Sequence, residues 1–279
     1  MLRSMYSGVS GMKGFQTKLD VIGNNIANVN TVGFKKGSVV FQDMLSQTVS
    51  SVGVNPAQVG LGSSAASIQQ NHNPGSGMMT GVGTDLAIMG KGFFVVKDSN
   101  VSADGLPLPV TAPRKEYLTR TGNLVVDKIG YLKTPQGHHL LDTKGNEIQI
   151  NPTAFDSFAI ESNGTIKVKN KADGSEEILK YPNNDVVQIA IFAPPNPSGL
   201  RKSGGSLYEM TDAAGPGGIL YTTPESNDTQ IQSGMLEMSN VELTEEFTEM
   251  IIAQRGFQAN SKIISTSDEI LQELVNLKR

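Results

Sequence analysis

Proline placement constrains this chain more than any other feature. All 13 prolines fall between Pro56 and Pro224, leaving residues 1–55 and 225–279 without one. Inside a helix a proline costs about 3 kcal/mol, because it lacks an amide hydrogen and its ring meets the carbonyl one turn back. Long helices are therefore expected at both ends, with a turn-rich region between them. Glycine follows the same division, since 23 of the 30 glycines lie between residues 53 and 240. There, short runs such as DLAIMGKGFFVVKD (85–98), FAIESNGTIKVKN (158–170) and DVVQIAIF (185–192) are bounded by Gly, Asn and Asp. That alternation of apolar runs and turn residues reads as antiparallel β-structure. Two tight hairpins are expected, over Asp127–Tyr131 and Ser162–Thr165, with Gly130 and Gly164 supplying the positive φ.

The fold class implied is α+β, with discontinuous terminal coiled-coil helices enclosing a central, mainly antiparallel β-domain. The expected boundaries are an N-terminal helix over 1–34, a connector over 35–77, the β-domain over 78–232 and a C-terminal helix over 233–279. Within the connector Gly53, Pro56, Gly60, Gly62, Pro74 and Gly75 are read as points of flexibility.

In the C-terminal segment Leu243, Met250, Phe257, Ile264 and Leu271 recur every seven residues, and Ile263, Ile270 and Leu277 form an adjacent row. A further row beginning at Phe247 is interrupted by Gln254, Ser261 and Asp268, substitutions that fix register at some loss of stability. Ser239 with Glu242 three residues later predicts a capping box at the helix start. The N-terminal segment has the same period in Met5, Met12, Leu19 and Ile26, widened by Leu2, Val9 and Ile22. The two segments carry opposite net charge: Arg3, Lys13, Lys18, Lys35 and Lys36 against Asp20 and Asp43 in residues 1–52, and four basic against seven acidic residues in 240–279. They are therefore expected to pair, with the two apolar rows facing each other or facing neighbouring subunits. Gly8, Gly11, Gly14 and Gly23 each weaken the N-terminal helix by about 1 kcal/mol relative to alanine. A stripe two rows wide exceeds what one helix partner can bury, which favours polymerisation over a purely intramolecular pair.

Catalytic and cofactor chemistry finds no foothold. Cysteine is absent, which excludes disulfides, thiolate metal sites and cysteine nucleophiles. His72, His138 and His139 have no metal-binding spacing, and Ser10 with Lys13 matches S-x-x-K without its companion elements. Gly81, Gly83, Gly90 and Gly92 fit neither a GxGxxG nor a P-loop pattern and are read as turns. Asn24, Asn25, Asn28 and Asn30 suggest capping at a helix end near Gly33. A formal charge of -4 argues against nucleic acid, and the absence of a long apolar run argues against membrane insertion. No cofactor or metal is expected.

The two ends also carry a family resemblance. MLRSMYSGVSGM (1–12), FQTKLDVIGNNIANVNTVGFKK (15–36), TDLAIMGKGFFVV (84–96) and the segment from Ser233 to the final LVNLKR resemble the bacterial flagellar rod and hook proteins, leaning toward the hook members. Asn24, Asn25, Asn28, Asn30, Thr31, Gly33 and Phe34 carry the N-terminal motif. The resemblance implies a subunit exported through the flagellar type III apparatus without a cleaved signal peptide and polymerised helically into a channel-bearing tube. Its partners would be further copies of itself, the distal rod, the hook cap and hook–filament junction proteins. For a hook member the implied role is an extracellular, curved universal joint that transmits torque. Many hook members are longer and carry an extra outer domain, so a distal rod subunit of the basal body is the alternative. A secreted hydrolase with a helical stalk is the remote one.

Overall fold

A computed structural model describes residues 2–50, 57–98, 114–171, 174–181 and 185–277. The chain divides into a terminal unit, residues 1–29, 35–71 and 241–279, and a central unit, residues 30–34 and 72–240.

Helix α1 (Leu2–Ala27) and helix α2 (Leu243–Leu277) dominate the terminal unit, as the proline-free ends predict. They run antiparallel: Gly8 lies against Ile264, Gly11 against Asn260, and Phe15 against Gly256. Further along, Lys18 forms an ion pair with Glu249 and Asn25 bonds to Glu246. The α2 start differs from expectation. Its first helical residue is Leu243, so Ser239 is not the cap, and the Glu242 carbonyl accepts the first helical amide, from Glu246, at 3.0 Å.

Residues 35–77 also differ, because most of the expected connector is paired β-structure. Strand β1 (Gly37–Asp43) pairs antiparallel with β4 (Ser63–Gln70), and β2 (Ser46–Ser50) with β3 (Ala57–Gly60), in one long hairpin. The register shifts between Val40 and Phe41, a bulge. Strand β4 is rich in Ser, Gln and Ala, and neither β1 nor β4 contains a buried residue although Gly37 and Phe41 lie against α1, so only a weak burial pattern is there for a sequence reading to find. Gly53 and Pro56 lie outside the described residues.

In the central unit the strand Phe93–Lys97 is the hub. One edge pairs with Glu116–Thr119; the other is shared by His139–Leu140 and Ile191–Phe192. The sheet runs on through Leu207–Glu209 and Arg201–Gly204 on one side and through Leu132–Lys133 and Val125–Val126 on the other, all antiparallel. Successive side chains of a strand face opposite ways, and both faces are covered here. Phe94 and Val96 join a core with Leu86, Leu132, Ile148, Ile166 and Ile189, while Phe93 and Val95 join another with Leu118, Leu141 and Tyr208. That explains why FFVV reads as a continuous apolar run. Three smaller groupings complete the unit: Phe155–Ile160 with Ile166–Asn170 and Glu176–Ile178, Leu86–Met89 with Gln230–Ser233, and Gly77–Met79 with Met235–Glu237. Both expected hairpin turns are present, with Gly130 at φ +93° and Gly164 at φ +82°.

Candidate assembly surface

The α1–α2 contact is built from small residues. A Cβ on Gly256 would stand 2.5 Å from the Phe15 ring, and one on Gly11 would stand 3.0 Å from the Asn260 side chain. Gly23 has open space around it, whereas Gly8 and Gly11, which weaken α1 in isolation, are places where α2 comes close. Gly14 does the same for the hairpin, since its Cβ would lie 2.8 Å from Phe41, whose ring packs 6.1 Å from Phe15. Gly62, expected as a flexible joint, sits at φ +114° against Ser7 and Ser10 of α1 and leaves no room for a side chain. Gly60 has open space around it.

Along α2 the buried row is Glu246, Ala253 and Ser267, with Asn260 half-buried between them. The sequence leaves the apolar rows facing either α1 or neighbouring subunits. In the structure Met250, Ile264 and Leu271 flank the α1 contact half-buried, while Leu243, Phe247 and Phe257 are exposed, Phe247 by 50%. Ile251, Ile252, Ile263, Ile270, Leu274, Val275 and Leu277 extend that exposed apolar face. On α1, Met5, Met12, Leu19 and Ile26 are half-buried, Ile22 is buried and Val9 is exposed. An interdigitated leucine-type seam is thus not what joins the helices. Apolar area left in water forfeits about 25 cal/mol per Å² of transfer free energy, and this contiguous exposed face is a candidate interaction surface.

The polar groups explain the N-terminal motif. Asn25 is buried; its Nδ2 donates to the Gly37 carbonyl at 2.9 Å and to Glu246 at 3.0 Å, and its Oδ1 accepts from the Gly37 amide at 3.0 Å. One side chain thus ties α1, β1 and α2 together. Asn28 caps the end of α1 by donating from Nδ2 to the Asn24 carbonyl at 2.9 Å. Lys36 adds bonds to Glu245 at 2.7 Å and to Glu246 at 3.4 Å; burial works against its charge, yet these carboxylates hold its pKa above the ordinary lysine value.

The rest of the motif belongs to the central unit. Thr31 closes a turn by accepting from the Phe34 amide at 3.3 Å, while Asn30 is exposed. The Gly33 amide donates to the Glu237 carbonyl at 2.8 Å, and at φ +68° its Cβ position lies 2.8 Å from the Arg120 backbone. Phe34 is buried under Lys202, whose Nζ lies 4.6 Å from the ring centre and whose pKa burial lowers.

Arg120, which sequence reasoning missed, organises this region. It is 3% exposed, donates from Nε to the Gly92 carbonyl at 2.8 Å and from Nη2 to the Gly90 carbonyl at 2.7 Å, and bonds Glu237 through Nη1 at 3.0 and 3.1 Å. Glu237 also accepts the Gly75 amide at 3.0 Å. Gly75, another expected flexible point, is pressed against the Met238 backbone, and Pro74 beside it is exposed. The glycines set aside as turns are two of the carbonyls this guanidinium holds.

Catalysis has no comparable assembly. His72 packs edge-on between Phe93 and Tyr208, and among the described residues no three His, Asp or Glu side chains could share a metal ion. Among them, too, no helix is long and apolar enough to cross a membrane.

Comparison with known proteins gives three family matches. Residues 5–35 match the flagella basal body rod protein family, 87–168 the flagellar hook protein FlgE/F/G D1 domain, and 232–277 the flagellar basal body rod FlgEFG protein C-terminal family. The flagellar basal-body rod protein FlgG of Bacillus subtilis is 47% identical over 287 residues, covering all of both chains. From Borreliella burgdorferi, the rod protein FlgG is 35% identical over 291 residues and the hook protein FlgE 28% identical over 443, again across both full chains.

Proposed function

This chain belongs to the family of flagellar basal-body rod and hook proteins, and from that premise we propose that it is a distal rod subunit of the basal body. The observation that carries the choice is a comparison inside one organism. The Borreliella rod protein is both more identical than the hook protein and nearly collinear with this chain, at 291 aligned positions against 443. The hook expectation therefore gives way to the rod alternative, and the bending mechanism goes with it.

In this reading the protein is a structural subunit of a helical homopolymer, a straight drive shaft enclosing the export channel. The exposed apolar face of α2 meets neighbouring copies. Load passes between subunits as shape and packing, so no covalent step is required. The same premise supports export through the flagellar type III apparatus and contact with other rod and hook components at the ends of the polymer.

Immunogold electron microscopy of isolated hook–basal bodies, with antibody raised against this chain, tests the assignment. Label on the straight shaft within the envelope supports it. Label along the curved segment outside would restore the hook assignment.

A further inference from the structure

Within the central unit one buried histidine sits in a row of cations. The ladder that joins residues 125–149 to the hub strand Phe93–Lys97 runs through His139 and Leu140, with His139 opposite Lys97. On its other side His139 is opposite Lys133. Residues paired across antiparallel strands share a face, with Cβ atoms about 4.5–5.5 Å apart, so the imidazole stands between two lysine side chains. It is 6% exposed, and its ring lies 5.1 Å from that of Tyr131.

The imidazole aside, the charges around it cancel in pairs. Lys97 meets Glu116 at 3.4 Å, Lys133 meets Asp127 at 2.6 Å, and Arg114 meets Glu147. Glu116 also accepts from the Tyr221 hydroxyl. Glu147 reaches the His139 Nδ1 at 3.2 Å as well, but out of line for a hydrogen bond. His138, next in the chain, faces Asp98 at 3.3 Å and the Tyr117 ring. Three cations thus face three carboxylates, and a proton on His139 would add a fourth positive charge with no carboxylate of its own among these groups. Burial, the largest influence, holds the His139 pKa below the ordinary 6.5; Glu147 opposes this, while Lys133 and Arg114 reinforce it.

We propose that His139 is an acid-released latch: a proton taken up by its imidazole detaches residues 125–149 from the hub strand while the α1–α2 pair stays folded. The ladder it interrupts is only two residue pairs long, so the charged ring regains water at the loss of few backbone bonds. Like charges directly opposite on a sheet repel, and here the charged ring would have a lysine on each side. Because the fold favours the neutral ring, the detached segment binds the proton more readily. The latch is therefore fully closed above pH 6.5, weakens as pH falls toward the depressed value of the closed state, and levels off below it. Each unit of depression multiplies the detached population about tenfold.

Two measurements on the full chain test the latch. The chain has three histidines, so their ring Cε1 protons can be assigned with single His→Gln variants and titrated by NMR. His139 should titrate below 6.5, Lys133→Met should move its midpoint up, and Glu147→Gln should move it down. Hydrogen exchange of peptides within 125–149, normalised to an unstructured peptide at each pH, is then compared between about pH 7 and about pH 5. Protection there should fall several-fold in the native chain, that of α2 should hold, and His139→Gln should lack the fall. Asp142 titrates with the opposite sign, so the difference between the native and His139→Gln chains is the quantity read. If His139→Gln does not fold, the Lys133→Met titration decides alone. A midpoint at or above 6.5, a midpoint that Lys133→Met leaves in place, equal loss of protection in the native and His139→Gln chains, or loss that extends equally to α2 would overturn the latch.

Discussion

Removing the Arg120 guanidinium should be the most damaging single change to the central unit. In Arg120→Met the Glu237 carboxylate, only 4% exposed, keeps its charge but loses the bidentate partner at 3.0–3.1 Å. Breaking one side of a buried pair costs about 3–5 kcal/mol, because the other charge stays desolvated. The Gly90 and Gly92 carbonyls also lose their donors, and an unsatisfied buried polar group costs about 1–3 kcal/mol. Against a total stability of about 5–15 kcal/mol this is a large fraction. Glu237→Gln strands the arginine in turn, at about 3 kcal/mol, although its remaining oxygen can still accept the Gly75 amide. The double variant leaves no buried charge, so it should cost less than the two singles together by about 2–3 kcal/mol. The assay is urea unfolding of the full chain followed by tyrosine fluorescence, since the chain has no Trp and five of its six Tyr lie in residues 72–240. At a slope of about 2 kcal/mol per molar urea, Arg120→Met should lower the midpoint by about 2 M. A loss below about 1 kcal/mol, or costs that simply add, would refute the argument that one buried ion pair holds these turns.

Four further outcomes are expected. Gly23→Ala, with nothing within 4 Å of its Cβ position, should stabilise α1 by about 0.5–1 kcal/mol, whereas Gly256→Ala must displace the Phe15 ring and should cost about 1–2 kcal/mol net; thermal melts of the two variants check the order. Asn25→Asp sets a carboxylate beside Glu246 and loses the donation to Gly37, so it should cost about 2–4 kcal/mol near neutral pH and recover as acid protonates it, seen by helical circular dichroism. Burial raises the Asp142 pKa above the ordinary 3.8, so the folded state holds its proton more tightly. Stability should therefore fall as pH rises from 3.8 through the higher folded value and level off above it, and Asp142→Asn should lack that fall in paired urea titrations. Phe257→Asp, at an exposed position, should leave the central unit within about 0.5 kcal/mol of the native protein yet abolish sedimentable polymer; normal polymer from this variant would remove the α2 face from the assembly mechanism.

Proline and glycine placement made the two helices and the central β-region legible, and the turns at Gly130 and Gly164 followed from short-range chemistry. What stayed hidden has physical causes. Apolar periodicity marks a face to be buried without saying which chain does the burying, which is why the rows could be expected against α1 or against a neighbouring subunit. Leu243, Phe247 and Phe257 are exposed in the single subunit, while Ala253, Gly256 and Asn260 make the intramolecular contact. Strands β1 and β4 hold no buried residue, so their composition resembles that of a linker. The Arg120–Glu237 pair spans 117 positions, and one arginine and one glutamate among 50 charged residues carry no local signal. What requires glycine at Gly75 is the nearby Met238 backbone, and at Gly62 a φ of +114° with Ser7 and Ser10 close by, constraints that leave no local signal.

The pairing of α1 with α2 also sets the order in which the molecule can come into being. Asn25 meets Glu246 across 221 positions, so the terminal unit is held by contacts of very high sequence separation. A polypeptide delivered from its N-terminus has all of residues 72–240 in hand before any of α2 exists. Until then α1, carrying Gly8, Gly11, Gly14 and Gly23, is too weak to persist alone. The central unit can therefore fold early and locally, while the α1–α2 pairing is completed only by the last 35 or so residues to arrive. On the proposed role of the α2 face, a chain that still lacks α2 offers other copies nothing to bind.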